Sequence, residues 1–253
     1  MRKSVLASTA FLCCAFAENA HAALLGVDNR HGVNANSYLG SGSRYDQFRA
    51  AITDAGHTLV PLTSFTESVL VSLDGLILAT AHSQNTSLYT SEEQFDIQSF
   101  TNDRAIFLSD RSLWADDDTG SMTPISFGDN HRLLDNSINF LADGGTMFLA
   151  DVGGGSDIGN FNALTSHWGV EFALSVTDGD GRTVSELLPS PITRGVKVVG
   201  VDAQLPITSF GKTTDLTGGN GQDDIIGFIP TPATAYVMLI PALACMRRHR
   251  QYT

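Results

Sequence analysis

The sequence predicts an α/β fold: a doubly wound, mostly parallel sheet with a small β-rich C-terminal portion. Two observations carry that prediction. Between about residues 24 and 169, short apolar runs alternate with amphipathic stretches at helical spacing. Strands joined through helices need crossover connections, which set parallel strands in one sheet with helices on both faces. The strand runs are also apolar throughout rather than alternating, as strands covered on both sides must be.

Residues 24–27 (LLGV) read as the first strand. Ser43 then offers a helix cap, with Asp46 three residues on. Tyr45, Phe48, Ile52 and Ala55 make one apolar stripe, and Gly56 is a suitable stop. Residues 58–62 are the second strand and 75–79 the third. Ser91 with Gln94 opens a helix that runs to about Phe100. Residues 104–109 (RAIFLS) are the fourth strand. Residues 130–141 carry Leu133, Leu134, Ile138 and Leu141 at helical spacing. Residues 146–150 (TMFLA) are the fifth strand, and 160–168 a short helix with Phe161, Leu164 and Trp168 on one face, ended by Gly169. Beyond Gly169, residues 170–176, 196–201 and 206–210 read as short β runs, forming either an antiparallel edge or a small β appendage. Residues 217–222 (TGGNGQ) read as a flexible spacer.

Both ends carry addresses. Arg2 and Lys3 precede an apolar stretch, residues 5–17, and Ala20-His21-Ala22 supplies a small-x-small cleavage site. That is the pattern of a secretory signal peptide, removed on export. At the other end Pro230, Pro232, Ala233 and Thr234 lead into an apolar run that stops at Arg247, Arg248 and Arg250. The run over residues 228–246, with Pro241 inside it, just reaches the ~20 residues that span hydrocarbon. The arginines would stay on the cytoplasmic side. By itself this is a membrane anchor. The tripartite pattern resembles the PEP-CTERM sorting signal of bacterial surface proteins. The resemblance implies export machinery and an exosortase-like protease as partners, and a transient anchor in the inner membrane. It also implies delivery to the cell surface or extracellular matrix. Thr231 stands where that family has Glu.

The expected organisation is a signal peptide (1–22), an α/β domain (23–169), its β-rich continuation (170–216), a Gly-rich spacer (217–228) and a sorting segment (229–253). The whole chain has a formal charge of −12; the signal contributes +1 and the tail +3, which leaves −16 on the part between them. So acidic a domain has no basic patch to neutralise phosphates, which argues against nucleic acid and anionic membrane surfaces as partners. Cys13 and Cys14 lie in the signal and Cys245 in the tail. The processed domain is therefore expected to have no disulfide, no thiolate metal site and no cysteine nucleophile.

Four fragments carry a second resemblance. They are Asp28-Asn29-Arg30-His31-Gly32 after the first strand, and Tyr89-Thr90-Ser91-Glu92-Glu93 at a helix start. The others are Asn162-Ala163-Leu164 through Trp168-Gly169-Val170, and Pro191-Ile192-Thr193-Arg194-Gly195-Val196. Over residues 24–201 the chain resembles a class I glutamine-amidotransferase-like, flavodoxin-like domain found in bacterial proteins. Amidotransferases of this fold carry a Cys on a sharp turn after a central strand, with a His and a Glu further on. The matching turn here, Ala79-Thr80-Ala81-His82-Ser83, has no Cys. The resemblance therefore implies a binding domain without glutaminase activity.

In a parallel sheet, ligands bind outside the carboxyl ends of the strands. The residues following the strands make a candidate rim: Asp28, His31, His82, Ser83, Asp110, Arg111 and Asp151, with Asn29, Arg30, Gln84 and Trp114 beside them. Strand ends are polar in most proteins, so convergence in space decides the matter. Ser83 with His31 and Asp110 gives the alternative, a secreted hydrolase. His82 is badly placed to serve Ser83, because adjacent residues of an extended chain point to opposite sides, and there is no Gly-x-Ser-x-Gly elbow.

Residues 151–157 (DVGGGSD) are glycine-rich before a helix, as phosphate cradles are. They lack the P-loop Lys, and Asp151 and Asp157 would repel an anion. Asp116-Asp117-Asp118 and Asp178-Gly179-Asp180-Gly181 suggest calcium. In the second, Arg182 replaces an oxygen ligand and Pro189 stands where the closing Glu belongs, so both read as turns. No metal or cofactor is expected. His57, His131 and His167 read as structural or exposed, and Trp168 as core.

Overall fold

The computed structural model describes residues 22–31, 45–79, 88–101, 105–108, 125, 127–149, 157–173, 182–201, 207–209, 211, 214–217 and 226–229. In chain order the elements are β1 (Leu24–Asp28), α1 (Asp46–Asp54), β2 (Thr58–Leu62), α2 (Glu67–Leu70), β3 (Gly75–Ala79) and α3 (Ser91–Thr101). There follow β4 (Ala105–Leu108), α4 (Asn130–Ala142), β5 (Thr146–Leu149), α5 (Ile158–Thr165) and a 3-10 turn (Ser166–Trp168). The rest is strand: β6 (Glu171–Phe172), β7 (Arg182–Val184), β8 (Val199–Val201), β9 (Ile207–Ser209), β10 (Thr214–Asp215) and β11 (Ile226–Ile229).

The main sheet has seven strands in the order β10-β11-β5-β4-β3-β1-β2. β2, β1, β3, β4 and β5 run parallel to one another, so the five predicted strands form one parallel array. β1 leads outward to β2, and the chain then returns to the other side of β1 for β3. The direction of building thus reverses between β1 and β3. α1 lies against α4, α2 against α3, and α3 against α5.

Packing explains the local sequence. Tyr45, Phe48 and Ile52 of the α1 stripe are fully buried, and Gly56 continues the chain at φ +86°, where a side chain would strain the backbone. In α4, Leu133, Leu134, Ile138 and Leu141 are buried on one side. Each such side chain, fully buried, contributes about 1.5–3 kcal/mol relative to its exposed form. Gly26 lies mid-strand in β1, and a Cβ there would come within 2.6 Å of Leu62 and Leu73 side chains. Only glycine lets those two leucines close over the sheet. Trp168 is wholly buried and Gly169 follows it in the left-handed region at φ 73°, as the sequence predicts.

Several expectations need correction. The cap of α3 lies one residue earlier than Ser91/Gln94. The Thr90 N–H donates to Glu93 Oε2 at 2.9 Å, and the Glu93 N–H donates to Thr90 Oγ1 at 3.2 Å. This is the reciprocal capping box. α1 begins at Asp46 with Tyr45 as its N-cap and no side-chain cap bond, and Ser43 is outside the described residues. The short helix α2 had no sequence signal long enough to find.

The C-terminal third differs most. The β runs near 170, 200 and 207 do form small antiparallel pairs, β6 with β9 and β7 with β8. The antiparallel edge of the main sheet, however, is made by β11 and β10. β11 pairs with β5 through Ile226–Leu149, Gly227–Phe148, Phe228–Met147 and Ile229–Thr146. The expected spacer over 217–228 therefore contains a sheet strand at its end, and Thr217 bridges Leu187 at its start. Phe228 is 2% exposed and edge-on to Phe140, with ring centroids 5.8 Å apart. Apolar residues counted towards a membrane run are thus used in the core. No helix among the described residues is long and apolar enough to cross a membrane.

Candidate ligand-binding site

The carboxyl end of β1 carries a buried polar cluster. Asp28 is the last residue of the strand and is 1% exposed, while His31 is fully buried. Asp28 Oδ1 accepts from the backbone N–H groups of Arg30 at 2.9 Å and His31 at 3.0 Å. One carboxylate oxygen thus folds the chain after β1 into an Asx-type turn. The same turn brings the His31 ring back on the carboxylate, with Nδ1 3.0 Å from Oδ2. Nδ1 carries the proton in that bond, because an ionised carboxylate only accepts.

Two residues beyond β3 close the cluster. The Tyr89 hydroxyl donates to Asp28 Oδ2 at 2.6 Å, and its ring stacks on His31 at a centroid distance of 3.8 Å. Phe65 packs against both rings, tilted to His31 at a centroid distance of 5.3 Å and edge-on to Tyr89 at 6.0 Å. Glu93, in the first turn of α3, forms an ion pair with Arg30 and holds its second oxygen 3.7 Å from His31 Nε2. Nε2 has no hydrogen-bond partner among the described residues. The Arg30 side chain is 41% exposed, so the cluster reaches solvent through its guanidinium.

Asn160 of α5 holds this assembly from behind. Its side-chain oxygen accepts from the Tyr89 N–H and its amide donates to the Tyr89 carbonyl, both at 2.9 Å. The pair of bonds mimics a strand partner. Asp157 caps α5 by accepting from the Asn160 N–H at 2.9 Å, which fixes the residue that fixes Tyr89.

Of the predicted rim residues, Asp28 and His31 come together directly. His82, Ser83, Asp110, Arg111 and Asp151 lie outside the described residues. So do Asp116 to Asp118, Gly153 to Gly155 and Asp178 to Gly181. Tyr89, Glu93 and Phe65 belong to the cluster but were absent from the predicted rim. The signal that could have found Glu93 is the Thr90-x-x-Glu93 capping spacing, which sets that carboxylate at the carboxyl edge of the sheet. Among the other described histidines, His57 is buried at the opposite end of β1, His131 pairs loosely with Asp135 at 3.4 Å, and His167 lies edge-on to Trp168. No group of three or more His, Cys, Asp or Glu among the described residues could hold a metal ion.

His31 is fully buried, in contact with Tyr89, Phe65, Asp28 and Glu93. No family model, no curated protein and no solved structure matches this chain.

Proposed function

We propose that this protein is an exported bacterial envelope or matrix protein whose doubly wound, flavodoxin-like domain binds a small polar ligand without catalysing a reaction. One observation carries the binding reading. The Asp28–His31–Tyr89–Glu93 cluster sits between the end of β1 and the start of α3, where the strand order reverses. Open α/β sheets bind ligands at such a switch point, because the two connections diverge and leave a crevice. The strand order β2-β1-β3-β4-β5 supports the flavodoxin-like assignment. The half-exposed Arg30 guanidinium, steered by Glu93, is the polar group this crevice offers to a ligand.

The amidotransferase-like resemblance without its cysteine supports a binding role. So does the enclosure of His31. The export reading rests on the signal pattern at residues 1–22 and on the Pro230/Pro232 motif with Arg247, Arg248 and Arg250. The test is a thermal-shift and NMR screen of the secreted protein against small sugars, amino acids and organic acids. A binder should perturb the Arg30 and Tyr89 resonances, and Arg30→Ala should weaken it at least tenfold. Binding unaffected by Arg30→Ala would place the ligand elsewhere.

The hydrolase reading draws on one feature, the Asp28 carboxylate that orients the His31 ring through Nδ1. A fluorophosphonate probe that labels the protein, with labelling lost in Ser83→Ala, would decide for it.

A further inference from the structure

We propose that the fold contains a built seat for the amino terminus of the processed protein, with Ala23 as first residue and His57 as the acceptor of its α-amine. The inference rests on the export reading above. Ala22 is exposed, yet Ala23 is 2% exposed. The Ala23 nitrogen donates to His57 Nδ1 at 3.1 Å. The Ala23 carbonyl accepts from the Thr58 N–H at 2.9 Å. The Leu24 N–H donates to Asp74 Oδ2 at 2.7 Å, and the Asp74 N–H returns to the Leu24 carbonyl at 2.9 Å. The bond that the Ala20-His21-Ala22 pattern marks for cleavage therefore abuts a residue gripped on every polar atom.

His57 is placed for this by Gly56, whose positive φ turns the chain from α1 into β2 and brings the imidazole over the start of β1. The ring lies at the amino end of the strands, away from the cluster of Asp28 and His31. Its Nδ1 accepts, so the imidazole is neutral with the proton on Nε2. A lone pair of that kind serves a free amine as well as a peptide N–H.

Hydrolysis breaks the Ala22–Ala23 C–N bond. Water supplies the oxygen of the new Ala22 carboxylate and a hydrogen to the Ala23 nitrogen. The freed amine, with an ordinary pKa of about 7.7–8.0, takes a further proton from solvent at neutral pH and has three donors. One keeps the bond to His57. The Asp74 carboxylate, held on the very next amide, brings negative charge beside it. The cut thus leaves the hydrogen bond in place, and β1 need not shift. A second consequence is an order of events. Cleavage requires an extended, accessible segment, and Ala23 loses access once β1 docks between β2 and β3. Removal of the signal precedes closure of the sheet.

The experiment starts from the full 253-residue chain expressed with an active export pathway. Intact mass and amino-terminal sequencing should find Ala23 first. Reductive methylation with formaldehyde and cyanoborohydride near pH 7, read on the amino-terminal peptide, then measures access to the α-amine. In the folded protein it should proceed at least about tenfold more slowly than in urea, since burial within a strand restricts reaction to opening events. His57→Gln, which keeps an acceptor, should retain most of that protection, whereas His57→Phe should lose it. If His57→Phe does not fold, the contrast of native with His57→Gln against the urea rate still decides. An unprocessed chain overturns the export reading and the seat together. Processing at another residue, or an Ala23 amine that reacts at the unfolded rate, overturns the seat and leaves export standing.

Discussion

The Tyr89 hydroxyl donates to Asp28 Oδ2 at 2.6 Å, joining two residues 61 positions apart. Asp28 closes the first strand and Tyr89 precedes α3, so this bond ties the two connections that flank the reversal of strand order. It is a charge-assisted hydrogen bond in a buried setting, where the loss of a donor leaves a carboxylate oxygen short of a partner.

Tyr89→Phe should therefore destabilise the protein by about 1–3 kcal/mol while keeping the stack on His31. Urea unfolding followed by circular dichroism measures it. A loss below a few tenths of a kcal/mol would mean that the bond matters little to stability.

The Thr90/Glu93 capping box allows a second test. Thr90→Ala removes the side-chain acceptor for the Glu93 N–H, and should lower stability by about 1 kcal/mol. Glu93→Gln keeps an acceptor for the Thr90 N–H but dissolves the Arg30 ion pair. The two variants together separate the helix cap from the anchoring of Arg30.

Asn130 is buried and holds the Gly200 backbone by both its amide groups, donating at 3.0 Å and accepting at 2.9 Å. Asn130→Ala orphans a buried N–H and a buried C=O at once, for an expected loss of about 2–4 kcal/mol. Differential scanning calorimetry should show the corresponding fall in Tm.

Asp129 has its carboxyl pKa held below the usual 3.8, first by the hydrogen bonds from the Lys197 and Val198 N–H groups and then by the charges of Arg132 and Lys197. A depressed carboxyl pKa stabilises the fold above the unfolded value, and that stabilisation is lost as pH falls through the folded one. The stability difference between native protein and Asp129→Ala should be constant above about pH 5 and shrink as the pH falls below 3.8. Urea midpoints measured from pH 2 to 7 would show it.

The antiparallel pairing of β5 with β11 depends on residues that read as linker. A chain ending at residue 222 lacks β11 and leaves the β5 edge bare, while one ending at Ile229 keeps the pairing. The shorter chain should aggregate or unfold and the longer one should fold, as size-exclusion chromatography would report. Equal behaviour of the two would mean that β11 is dispensable.

Much of the α/β core was legible in the sequence. The five parallel strands, the α1 stripe of Tyr45, Phe48 and Ile52, the α4 face and the Gly169 stop all follow from local periodicity and glycine chemistry, which chain neighbours decide. Asp28 and His31 were legible as residues that follow a strand. What only the tertiary structure decided is which distant groups meet them. Tyr89 and Glu93 reach the end of β1 because β3 returns beside β1, a choice made by the packing of the whole sheet. The assignment of Ile226–Ile229 was decided in the same way. Four residues between a glycine-rich stretch and a Pro-x-Pro motif carry too little pattern to mark a strand, and they become one because the unpaired edge of β5 satisfies its backbone groups there.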